Sequence, residues 1–181
     1  MEEYKNILDF WFEELSPMEK FQKNSDLDNK IKTRFLHLVE KAEKSECWRW
    51  RETPQGSLAE IILLDQFKRN IFRDQARAFS SDSFALSLTQ NAISKGFDQD
   101  LNLEYRSFLY MPFQHSESLA IHEEGLRLMQ LTGLDDGFIE YEIKHKVIIE
   151  RFGRYPHRNE ILGRESTDEE ISFLQEPNSS F

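Results

Sequence analysis

Ser57-Leu58-Ala59-Glu60-Ile61-Ile62-Leu63-Leu64-Asp65-Gln66-Phe67-Lys68-Arg69-Asn70 is the stretch that decides the fold. Serine followed three residues later by glutamate is a capping-box pattern, so the sequence predicts a helix opening at Ser57 and running to about Lys68. Leu58, Ile61, Ile62, Leu63, Leu64 and Phe67 make this helix apolar nearly all round. A helix of that kind is central to a core. Asp65 and Arg69 lie one turn apart on the side of Leu58, Ile61 and Ile62. Buried charges carry a heavy desolvation penalty unless well bonded, so two readings stand: an ion pair that fixes packing, or part of a site. Asn70, Arg73 and Arg77 follow, and cations at a helix C-terminus suit its dipole.

Amphipathic helices are expected on both sides of this rod. Residues 4–14 carry Ile7, Leu8, Phe10 and Trp11 at helical spacing, with an end at Ser16-Pro17. A second helix opens at Ser25 or Asp26 and runs to about Lys44 on the stripe Leu27, Ile31, Phe35, Leu38 and Ala42. Pro54-Gln55-Gly56 reads as a turn, with Trp48 and Trp50 tucked beneath the connection. Downstream, Asp82 is read as an N-cap and Lys95-Gly96 as the close of the helix it starts. Pro112 is expected to stop a helix and Ser116 to cap the next, which would put His115 just before a helix N-terminus and Glu117 in its first turn. His122 falls on an apolar arc and reads as a core histidine. Gly137 is taken to release a long helix whose stripe is Phe138, Tyr141, His145, Ile148, Ile149 and Phe152. Thr167-Asp168-Glu169-Glu170 is a second capping box, and residues 176–181 read as a loose tail. Helical periods throughout, no strand alternation and few glycines predict an all-α single domain over residues 1–175.

The 181 residues are 39% hydrophobic and 13% aromatic, enough for a substantial core. A net charge of −10 argues against nucleic acid and anionic membranes as partners, since both need a basic face. Cys47 is the only cysteine, so neither an intrachain disulfide nor a thiol-rich metal site is expected. Met1-Glu2-Glu3 is acidic where a secretory signal is basic, and no apolar run approaches the roughly 20 residues of a membrane span, so a cytoplasmic location is expected.

Against this acidic background one stretch is cationic: Arg151-Phe152-Gly153-Arg154-Tyr155-Pro156-His157-Arg158-Asn159, continuing to Leu162-Gly163-Arg164. Planar hydrogen-bonding groups on a proline-stiffened loop are what a binding site uses. The chain lacks HExxH, GxSxG, GxxxxGK and GxGxxG. His115, His145 and His157 are scattered, so no metal site is expected, and no cofactor is indicated. What remains is a set of polar residues in three segments. Asp65, Arg69, Arg73, Arg106, Arg151, Arg154, Arg158 and Asn159 are the candidate ligand-binding groups. His115, Glu117, His145 and His157 are the candidate acid–base groups. Guanidinium forks bind carboxylate and phosphate bidentately, so the expected ligand is a small anionic metabolite.

Several motifs resemble the DUF924 family of uncharacterised bacterial proteins. They are Ile7-Leu8-x-Phe10-Trp11-Phe12, Leu58-Ala59-x-Ile61-Ile62-Leu63-Leu64-Asp65-Gln66-Phe67-x-Arg69-Asn70, Met111-Pro112-Phe113-x-His115-Ser116-Glu117, and Phe152 to Asn159 with Leu162-Gly163-Arg164 and Ser166-Thr167. Lys68 and Asp168 stand where the family usually has proline, and Gln114 where methionine is common. The resemblance implies a TPR-like array of about seven to nine helices, and brings no activity or cofactor with it. It also supplies the rival expectation, a helical module that receives a peptide or protein partner, with the arginines as internal struts.

Overall fold

The computed structural model describes residues 3–177 and 179. They form nine continuous helices, and no strand occurs among the described residues, so the chain is all-α. It packs as two compact units: residues up to Arg73 with Arg77–Pro112, and Asp74–Ala76 with Phe113 onward.

In the first unit, α1 (Glu3–Leu8) runs on as a π-helical stretch, Asp9–Glu14. A short α2 (Pro17–Phe21) follows, unforeseen in the sequence, with a full capping box between Ser16 and Glu19. Asn24, rather than Ser25 or Asp26, caps α3 (Ser25–Glu43), its side chain accepting from the Asp26 and Leu27 amides. The five stripe residues of α3 are buried.

The central rod is α4 (Pro54–Ile62), a π-helical stretch Leu63–Phe67, and α5 (Lys68–Ile71) without a break. It begins three residues earlier than Ser57. Thr53 is the cap, its hydroxyl accepting from the Gly56 amide at 3.1 Å, and Pro54 fills the first helical position, where no N–H is needed. Pro54-Gln55-Gly56 is therefore a first turn of helix. Gly56 is required there, since a Cβ would stand 2.2 Å from the Trp50 carbonyl oxygen. Glu60 is buried and takes the Arg51 fork at 2.7 and 2.6 Å. Trp48 is 55% exposed instead of tucked under its loop.

Trp11 meets the rings of Phe67 and Phe108 edge-on at 5.5 and 5.7 Å, and Phe35 packs on Phe10 and Phe67 at 5.0 Å each. Such pairs add to the burial that drives collapse. α6 (Asp82–Ser94) has Ser81 and not Asp82 at its cap position, and the Asp82 carboxylate, in the first turn, is taken by Arg69. α7 (Leu103–Gln114) contains Pro112. The proline removes one backbone bond to the fourth carbonyl before it, and a helix ending two residues later loses little by that.

The second unit holds α8 (Leu119–Leu131), α9 (Asp136–Phe152), a 3-10 turn Pro156–Arg158 and α10 (Asp168–Phe173). Ser118, not Ser116, stands at the cap position of α8, so Glu117 lies with His115 in the connection before the helix and not in its first turn. Asp135 caps α9 by accepting from the Phe138 amide at 3.0 Å, and Gly137 is inside the helix. Gly153, at φ 67, ends α9 in the left-handed conformation that glycine adopts without strain, and so turns the chain into the arginine loop. The capping box of Thr167 and Glu170 forms as the sequence predicts. Ile148, Ile149, Tyr155 and Phe173, with Phe152 against them, make this unit's core. Residues 178, 180 and 181 of the expected tail lie outside the described residues, while Ser179 is buried and donates to the Leu174 carbonyl. Among the described residues no helix is long and apolar enough to cross a membrane.

Candidate functional site

Four of the candidate residues lie in the first unit, each tied to a named partner there. Asp65, fully buried in the π-helical stretch, accepts from Gln66 at 2.6 Å and from Arg69 at 3.1 Å. Arg69 also puts its fork on Asp82, with both bonds at 2.9 Å. Arg73 holds Asp28 through two nitrogens at 2.6 and 2.7 Å, joined by Asn70 at 2.8 Å. Arg106 donates to the Asp98 and Leu101 carbonyls at 2.7 and 3.1 Å. Bidentate pairs of this kind lock two elements together.

The arginine loop lies in the second unit. Arg154 forks onto Glu170 at 2.6 and 2.8 Å, and Glu170 also accepts from the Thr167 amide and from Asn159. The Arg154 hydrogen bonds lead in holding the Glu170 carboxyl down at about 2. Arg151 reaches Glu169 at 2.8 Å in an exposed pair. Glu117 accepts the fork of Arg164 at 2.6 and 2.9 Å and the Tyr155 amide at 2.8 Å. Burial works to raise the Glu117 carboxyl, but these bonds prevail and hold it below the usual range. Glu117 is thus the anchor of the loop.

Tyr155, fully buried, is the centre of the third arrangement. The rings of His122, His145 and His157 stand 6.3, 5.9 and 5.5 Å from its ring, and the Arg158 guanidinium lies 4.7 Å over it. Burial pushes His145 down to about 3, and the nearby His115, His122 and His157 add to the effect. His145 Nδ1 faces the Tyr141 carbonyl at 2.8 Å, so this nitrogen carries the hydrogen and the neutral ring keeps its lone pair on Nε2. His122 Nδ1 is 2.7 Å from Glu142, and its Nε2 is 2.8 Å from the Ser116 carbonyl oxygen and 3.3 Å from the Tyr155 hydroxyl. That hydroxyl donates to the Gln114 carbonyl. Burial pushes the Glu142 carboxyl up. Among the described residues, no three His, Cys, Asp or Glu side chains are placed to hold a metal ion.

Of the twelve candidates, the second unit brings His115, His145, His157 and Arg158 together. Arg151, Arg154 and Asn159 are engaged on the α10 side of the same loop. His122, Glu142 and Tyr155 complete the cluster without having been assigned to it from sequence. The signal was present in Glu142, three residues before His145 on the buried side of α9, because a carboxylate there requires a partner.

An all-helical protein whose second unit gathers three histidines and an arginine about one buried tyrosine, with His115 near His145, is the class that fold and site define. Residues 7–178 match the family described as bacterial protein of unknown function (DUF924), and the chain belongs to it. It is similar to a solved protein of unknown function from Agrobacterium tumefaciens at 38% identity and a TM-score of 0.90, over 95% of this chain and 96% of the other. No curated protein matches.

Proposed function

We propose that the second unit binds a small anion, a carboxylate or a phosphate, at the rim of its histidine cluster. The observation that carries this reading is the convergence of His115, His122, His145 and His157 with Arg158 from four sequence segments. His115 and His157 are half-buried, so their rings stand between the core and solvent. Imidazoles and a guanidinium in partly dry surroundings favour a negative group far more than they would in water. His115 and His157, at the rim, are the groups placed for proton transfer with that ligand. Hydrolytic or transfer chemistry follows from such a pairing. We place the protein in the cytoplasm, where its single thiol, Cys47, stays reduced.

The test is a thermal-shift panel of inorganic phosphate, dicarboxylates, phosphorylated metabolites, nucleotides and divalent metals. A ligand at a hundred times its dissociation constant stabilises by about 2.7 kcal/mol. The expected result is a rise with an anion that His157→Ala and Arg158→Ala abolish. A flat panel overturns the reading.

The pairing of the arginines supports a second reading, a TPR-like interaction module in which they are struts. Arg69, Arg73, Arg151 and Arg154 all hold carboxylates, and Ile143 and Val147, one turn apart on α9, are 42% and 52% exposed. A flat panel together with an Arg154→Ala protein that is simply less stable favours this partner-binding reading.

A further inference from the structure

Glu142 and His122 are both fully buried in the second unit. The proposed function gives the carboxyl group no task. Its hydrogen bonds nevertheless fix where one proton sits. His122 Nε2 points at the Ser116 carbonyl oxygen, which only accepts, so Nε2 carries a hydrogen. The 2.7 Å contact between Nδ1 and Glu142 Oε1 then needs one proton, on the ring or on the carboxyl. On the ring, it would make a buried imidazolium and a buried carboxylate. The second carboxylate oxygen, Oε2, meets no donor among the described residues. An unbonded anionic oxygen in that position costs far more than an unbonded neutral carbonyl oxygen. On the carboxyl, the proton makes an O–H that donates to Nδ1 and leaves both groups neutral. The titratable groups facing Glu142 are His122 from α8 and Lys146 from α9 itself, and the Lys146 ammonium is taken by Glu150. Burial outweighs both in raising the Glu142 carboxyl.

We infer that Glu142 carries its proton in the folded protein and, through the tautomer it imposes on His122, positions the two segments that bear His115 and His157. The connection is short. The Nε2–H of His122 holds the Ser116 carbonyl, beside His115 and Glu117. The same nitrogen lies against the Tyr155 hydroxyl, and Tyr155 leads into the turn that carries His157 and Arg158. Without a donor at Nδ1, the neutral ring is able to move its hydrogen there and release Ser116. Glu142 is thus a positioning residue for the rim, and its purpose rests on the anion-site reading while its chemistry does not.

Glu142→Gln and Glu142→Ala separate these statements. Glutamine donates an amide N–H to Nδ1 as the acid does, and alanine donates nothing. The infrared difference spectrum between wild type and E142Q at neutral pH is expected to contain the C=O band of one protonated carboxyl. Nitrogen-15 spectra are expected to show His122 as the neutral Nε2–H form, with the His115 and His157 signals unmoved in E142Q and displaced in E142A. Phosphate affinity is expected to survive in E142Q and to fall about tenfold in E142A, the size usual for losing a supporting hydrogen bond behind a binding group. Carboxylate bands alone, an imidazolium His122, or an E142Q that displaces the rim histidines overturns the inference. The infrared and E142Q readings hold even where E142A does not fold. They decide the inference without phosphate, so wild-type protein that ignores phosphate sinks only the anion-site reading.

Discussion

Replacing His145 by glutamine removes a base that the folded chain keeps neutral and the unfolded chain does not. Folding depresses the His145 pKa from an ordinary value near 6.5 to about 3, chiefly by burial. The folded-state value lies below the unfolded one, so its stabilising contribution is complete above pH 6.5 and is lost as pH falls toward 3. From pH 7 to 5 the unfolded histidine takes up about three-quarters of a proton while the folded one takes up almost none. Integrated over that interval, the loss is about 2 kcal/mol. The carboxyls held down by arginines, such as Glu170 and Glu117, titrate below this window and occur in both proteins. Urea unfolding followed by far-ultraviolet circular dichroism at pH 7, 6 and 5 measures the difference. Wild type is expected to lose about 2 kcal/mol more than His145→Gln across the series, a midpoint change near 1 M. Parallel pH profiles would refute the claim that His145 folds neutral.

Gly56→Ala drives a Cβ to 2.2 Å from a backbone carbonyl that has no rotamer to escape into, so it is expected to cost about 3 kcal/mol and lower Tm by about 9 °C in a thermal melt. Glu170→Ala strands the Arg154 fork and the Thr167 amide and is expected to cost about 3 kcal/mol by denaturant titration. Thr167→Ala removes the other half of the capping box for about 1 kcal/mol. The double variant is expected to lose less than the sum, and strict additivity would mean that the two do not share a network.

The sequence was most legible where a period or a cap acts locally. The α9 stripe placed His145 in the core, the box at Thr167 and Glu170 formed as written, and the apolar run from Leu58 to Phe67 marked the central rod. It was less legible where identical letters serve two geometries. Pro54-Gln55-Gly56 suits a turn as well as a first helical turn, and what decides is the fit of Gly56 under the Trp50 carbonyl. Pro112 likewise reads as a stop until the helix is seen to end just beyond it. The arginines were visible as cations, but their partners are distant in sequence. Arg154 finds Glu170 sixteen residues away, and Arg164 finds Glu117 at a separation of 47. For the same reason, His122 and Glu142 gave no sign of each other across 20 residues, although each stood on the apolar side of its helix.

The most direct test of the proposed site is a nitrogen-15 titration of histidine-labelled protein with inorganic phosphate, and separately with succinate. The chain has five histidines, and exposed His37, outside the cluster, is the internal control. The proposal predicts saturable shifts of His115 and His157, with His37 unmoved. All five histidines drifting together without saturation, or none responding to either anion, would contradict it.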